Sequence, residues 1–128
     1  MSEQRPLGES VPIMRIGQTL LLSLQGDLDD TAVVRIEERL TQEVARTHAT
    51  GVLIDLSGLS WVDSFVARVI ARVVAMVRLL GSEAVVVGIQ PAVAITMVEL
   101  GVPMGHLHTA LSAEKGLNLL RQLHPDDH

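Results

Sequence analysis

The chain has 128 residues, a formal net charge of −5, a hydrophobic fraction of 48%, a mean hydropathy of +0.36 and no cysteine. That length is enough for one domain with a real core, burying roughly two thirds of the unfolded surface. The absence of cysteine excludes disulfides, thiolate catalysis and cysteine-based zinc sites and fits an intracellular protein, while nine scattered arginines and one lysine argue against nucleic acid as a partner.

Residues 1–10 have no apolar core, which speaks against a secretory signal and for a flexible tail. Residues 11–16 and 19–25 are β-type runs separated by Gly17-Gln18, a Gly-first pair suited to a type II′ turn, so an antiparallel hairpin is expected. Gly26-Asp27-Leu28-Asp29-Asp30 supplies a turn and a helix cap, after which Val33, Ile36, Leu40 and Val44 recur at helical spacing to about Arg46. Residues 51–56 read as a buried strand, 63–80 as a helix closed by Gly81, and 84–88 as another buried strand. Pro91 suits the first position of a short helix ending before Gly101, and a short strand near Leu107 fits next. Ser112 then caps a last helix carrying Leu117, Leu120 and Leu123. Residues 124–128 read as a second flexible tail, leaving one domain over 11–123.

Alternating strands and helices after a hairpin predict an α/β domain with a mostly parallel sheet, one antiparallel N-terminal strand and about four helices. Strands apolar on both faces, such as Val85-Val86-Val87, need cover on each side, from helices or from another subunit. Arg68, Arg72, Arg78, Gly88 and Pro91 interrupt the longest apolar stretches, so no membrane span and a cytosolic location are expected.

The stretch from Ser60 to Val69 holds the only Trp, Trp61, and the only Phe, Phe65, and carries Ser64 at a strand-to-helix junction. A helix start has amides without intrahelical partners and the positive end of the macrodipole, a favourable place for a phosphate. At 100° per residue Arg68, Arg72 and Arg78 share an arc with Ser64, and Arg68, four residues on, is within reach of a phosphate on that serine. On the residues alone, an unmodified hydroxyl behind a plain Asp63 N-cap is the favoured reading of Ser64. Ser57 and Ser60 read as loop hydrogen-bonding residues, Trp61 and Phe65 as core or interface packing residues, and Glu37-Glu38 and Asp126-Asp127 as solvated charge.

From about Ile13 to Leu123 the sequence resembles the STAS family, the domain of anti-sigma factor antagonists. The motifs are Ile54-Asp55-Leu56-Ser57, Asp63-Ser64, Gly81 before a Val-rich strand, and Gly88. Phe65-Val66-Ala67, the run from Gly88 to Thr96, and Glu99-Leu100-Gly101 are similar to the RsbS branch, the small single-domain stressosome components. Many free-standing antagonists have Ser-Gly where this chain has Phe65-Val66, which favours the stressosome branch.

The resemblance implies a regulatory scaffold with no catalytic residues, no cofactor and no metal. Ser64 would be the phosphoacceptor for an RsbT-type serine kinase that the scaffold sequesters. Assembly with RsbR-type STAS sensors and resetting by an RsbX-type phosphatase are implied as well, and self-association is expected from the high apolar fraction and a second helix that is apolar over most of its circumference. Asp63, Arg68 and the acidic turn Asp27, Asp29 and Asp30 are the candidate kinase-binding residues, sharing one edge of the sheet if Gly26 and Leu56 end neighbouring parallel strands. The alternative within the family is a stand-alone antagonist regulated by an anti-sigma serine kinase.

Two other classes compete. A phosphoacceptor receiver would use Asp55 with the earlier acids and a lysine near its last strand, but the only lysine, Lys115, falls in the last helix. A metal site would start from His106 and His108, which alternate along a strand, yet no third ligand is near. Phosphate-binding and nucleophile-elbow motifs are missing, which argues against an enzyme.

Overall fold

The computed structural model describes residues 13–26, 28–102 and 107–124; the two expected tails fall outside these apart from His124, as do Val11, Asp27 and His106. The elements are β1 (Ile13–Ile16), β2 (Thr19–Gln25), α1 (Asp30–Thr47), β3 (Gly51–Gly58), α2 (Ser64–Leu79), β4 (Glu83–Val87), α3 (Pro91–Glu99), β5 (His108–Ala110) and α4 (Ala113–Leu123). Strand order follows chain order, with β1 antiparallel to β2 and the other neighbours parallel. The hairpin is as the sequence predicts: Gly17 has φ +60° and Gln18 does not enter the left-handed region, as a type II′ turn requires.

A sequential parallel order with right-handed crossovers puts every crossover helix on one face of the sheet. The packing agrees. Leu20, Leu22, Val52, Ile54 and Val86 form one core with residues of α1, α2 and α3, whereas Leu53, Val85 and Val87 on the opposite face meet Leu120 of α4. This accounts for strands that are apolar on both sides. Gly116 lets α4 lie against the sheet, because a Cβ there would collide with Leu53 and Val87.

Two readings change. Helix α2 buries Val66, Ala67, Val69, Ile70, Val73, Val74 and Val77 within the domain, so its high apolar content is used internally. Apart from Leu79 at its C-terminal end, the exposed large apolar residues lie elsewhere, among them Met14, Ile16, Trp61, Val98 and Leu111. Glu37 is buried on α1 and paired with Arg72 of α2, because the neighbouring helix covers a position that a helix read alone leaves open.

Candidate functional site

Helices α1 and α2 start from the ends of two adjacent parallel strands, so their N-termini open at the same edge of the sheet. Strand β3 runs two residues past the expected end at Leu56, to Gly58, whose carbonyl accepts from the Gly26 amide at 3.4 Å. That bond ties the two loops at this edge together.

Ser64 is the first residue of α2 and is exposed. Asp63 caps the helix with extended backbone (φ −93°, ψ 178°), its Oδ1 accepting from the Val66 amide at 2.8 Å while its carbonyl accepts from Ala67. The amides of Ser64 and Phe65 remain without intrahelical partners, as the geometry of a helix start demands. One turn on, Arg68 is exposed and has no ion pair among the described residues, whereas Arg72 is engaged with Glu37 at 3.1 Å. Only Arg68 of these two is therefore open to a new anion.

On α1, Asp29 is the N-cap, its Oδ1 accepting from Ala32 at 2.7 Å, and Asp30 opens the first turn, exposed. Asp29, Asp30, Asp63 and Ser64 thus lie on two neighbouring helix starts. Asp27 lies outside the described residues.

The loop between β3 and α2 is anchored by Leu59 and Val62, both buried, and not by its tryptophan. Trp61 is 60% exposed, so of the expected core or interface packing the core alternative fails, while Phe65 does pack against the larger core. The signal available for this was the apolar residue on each side of Ser60-Trp61, enough to hold the loop without the indole. A clamp fixes the loop from below: Asp55 Oδ1 accepts from the Ser57 amide at 2.9 Å, and Gln90 Nε2 donates to the Ser57 carbonyl at 2.8 Å. Gly88, at φ +71°, closes over it, since a Cβ there would lie 2.9 Å from Ser57 Cβ and 3.0 Å from Asp55 Oδ1. Asp55 thus has a structural task at a place where a receiver would keep an acceptor free.

His108 is half-buried on β5, 3.8 Å from Glu83. His106 lies outside the described residues, and among those described no group of three or more His, Asp or Glu could hold a metal ion. No helix among them is long and apolar enough to cross a membrane.

The STAS domain family model matches residues 10–111. RsbRA of Bacillus subtilis (strain 168), an RsbT co-antagonist protein, is 32% identical over 109 residues, covering 84% of this chain and 40% of the relative. This chain thus spans well under half the length of that relative. Among solved structures, RsbS of Moorella thermoacetica in a serine-to-glutamate form superposes with a TM-score of 0.82 at 36% identity, covering 89% of this chain and 97% of the other. A chain from the molecular architecture of the stressosome, a signal integration and transduction hub, superposes with a TM-score of 0.80 at 37% identity, covering 88% of this chain and 97% of the other.

Proposed function

The chain belongs to the STAS domain family, and we propose that it is an RsbS-like stressosome scaffold that holds an RsbT-type serine kinase and is phosphorylated by it on Ser64. The observation that carries this reading is an exposed serine at the first position of α2, with helix-start amides beside it that lack intrahelical partners and, one turn away, an Arg68 with no ion pair among the described residues. The likeness to RsbS and to a stressosome chain supports the scaffold role, and the likeness to RsbRA supports RsbR-type proteins as co-assembly partners.

The site has the chemistry for a switch. A phosphate on Ser64 brings about −1.5 to −2 charges at neutral pH. The macrodipole contributes about 0.3–1 kcal/mol, and Arg68 can add a charge-assisted hydrogen bond, so the phosphorylated helix start is tolerated. The same charge falls beside Asp63 and the α1 start with Asp29 and Asp30, where it opposes a kinase docked across both helix ends. Phosphorylation therefore weakens kinase binding without refolding the domain, and an RsbX-type phosphatase restores the holding state.

The test is to incubate the protein with an RsbT-type kinase and ATP and to map the phosphate by mass spectrometry. Label on Ser64 is expected. Label on Ser57 or Ser60 with Ser64 untouched overturns the assignment.

A further inference from the structure

At the edge of the sheet opposite Ser64, where β2 and β3 begin, a groove of about 530 Å³ runs between the β1–β2 turn and the last turn of α4. That volume falls within the range of roughly 300–1,000 Å³ typical of small-molecule sites. Arg15 of β1 and Arg121 of α4, from opposite ends of the fold's sequence, both line it beside the apolar Ile16, Leu117 and Leu120. Among the described residues the lining holds no carboxylate. Arg15 donates to the Gly17 carbonyl at 3.0 Å and to Gln18 Oε1 at 3.4 Å, and Arg121 donates to Asn118 Oδ1 at 2.8 Å. These neutral acceptors hold each guanidinium in place, and most of its five donors stay uncommitted among the described residues. Glu43 on α1 is near enough to Arg15 to feel its charge, but its carboxylate is taken by Arg46 at 2.7 Å. His124, also in the lining, keeps its Nε2 buried with no hydrogen-bond partner, and a buried polar atom in that state marks a place where a water or an ion belongs.

The chain carries a net charge of −5, yet here two exposed cations have no ion pair among the described residues, so the local field favours an anion. A guanidinium fork matches the paired oxygens of a carboxylate or a phosphate. An inorganic ion would use that fork and leave the apolar side of the groove in contact with water. The ligand that uses both is an organic anion with an apolar body. We propose that this groove is a binding site for a small organic oxyanion, a carboxylate or a phosphate monoester, whose charged group is held by Arg15 and Arg121 and whose apolar body lies against Ile16 and Leu117. The site is independent of the Ser64 reading, since it lies at the other edge of the sheet and uses none of the same residues.

The experiment titrates the full chain with phenyl phosphate, benzoate and inorganic phosphate and follows it by NMR. At least one aromatic probe is expected to move the Nε–Hε signals of Arg15 and Arg121 together, and the Gly17 and Gly51 amides with them, while Arg35, exposed on α1, stays put. The tighter of the two aromatic probes identifies the charged group. It is expected to bind at least tenfold more tightly than inorganic phosphate, about the scale of an apolar side-chain-sized body removed from water. Arg15→Gln and Arg121→Gln, both at exposed positions and checked by circular dichroism, are each expected to weaken that probe about tenfold, the scale of a charge-assisted hydrogen bond. Equal affinity for inorganic phosphate and the aromatic probes overturns the site, because charge alone would then be attracted. Unchanged affinity in both variants overturns it too. An acidic hexapeptide that binds tenfold more tightly than either aromatic probe would reassign the groove to a protein partner and end the small-molecule reading.

Discussion

Arg72 Nη2 lies 3.1 Å from Glu37 Oε2, so the two helices that open at the Ser64 edge are joined by an ion pair whose carboxylate is buried. The arginine reaches in from solvent, with its side chain 64% exposed against 10% for the glutamate. Removing the cation strands a carboxylate that water cannot solvate freely. Arg72→Ala is therefore expected to cost about 2 kcal/mol in urea denaturation, between exposed pairs at about 0–1 and fully buried ones at about 3–5. Adding Glu37→Gln should return part of that loss. A single-mutant cost near zero would mean that the pair ties nothing together.

Kinase affinity measured for the wild type, Ser64→Ala and Ser64→Asp, with matching circular dichroism spectra, tests the switch. The alanine protein should bind like the wild type and the aspartate protein more weakly. Equal affinity for all three removes Ser64 from the mechanism, and a lost fold in the aspartate protein would move the effect of charge from recognition to stability.

Trp61 offers a separation of function. It is largely exposed, so Trp61→Ala should change stability by no more than about 0.5 kcal/mol. If the indole meets a partner at this edge, the same change should weaken kinase binding or assembly with RsbR-type proteins at least tenfold, the scale of an aromatic anchor. Unchanged binding of both partners would reduce Trp61 to an idle exposed aromatic.

Gly88→Ala probes the clamp under the loop. The residue would be forced into φ +71° and its methyl into contact with Ser57 and Asp55, so a loss of about 1–3 kcal/mol is expected from thermal or urea unfolding. A neutral result would mean that the corner relaxes at no cost and does not hold the loop before α2.

The element order and the α/β class were legible because the periods were clean: Val33, Ile36, Leu40 and Val44 mark one helix face, and residues 51–56 form an unbroken strand core. Asp63 and Ser112 do cap their helices, through the Val66 and Lys115 amides. What escaped was set by tertiary cover. Glu37 looked solvated because only the neighbouring α2 buries it, and the core alternative for Trp61 fails because Leu59 and Val62 already fill that place. The shared edge of the Asp29 and Ser64 helix starts was conditional on β2 and β3 pairing in parallel, which no local pattern reveals.

Strand order that follows chain order also bears on how the molecule is made. Each strand pairs with the one before it, so every β-α-β unit can close as it leaves the ribosome without waiting for a distant segment, which keeps loop-closure costs low. The exception is the far face of the sheet. Leu53, Val85 and Val87 are in place once β4 has formed, yet their cover, Leu120 on α4, is synthesised only after α3 and β5. During that interval the nascent chain presents an apolar surface, and a ribosome paused before residue 120 would hold the protein in its most aggregation-prone form.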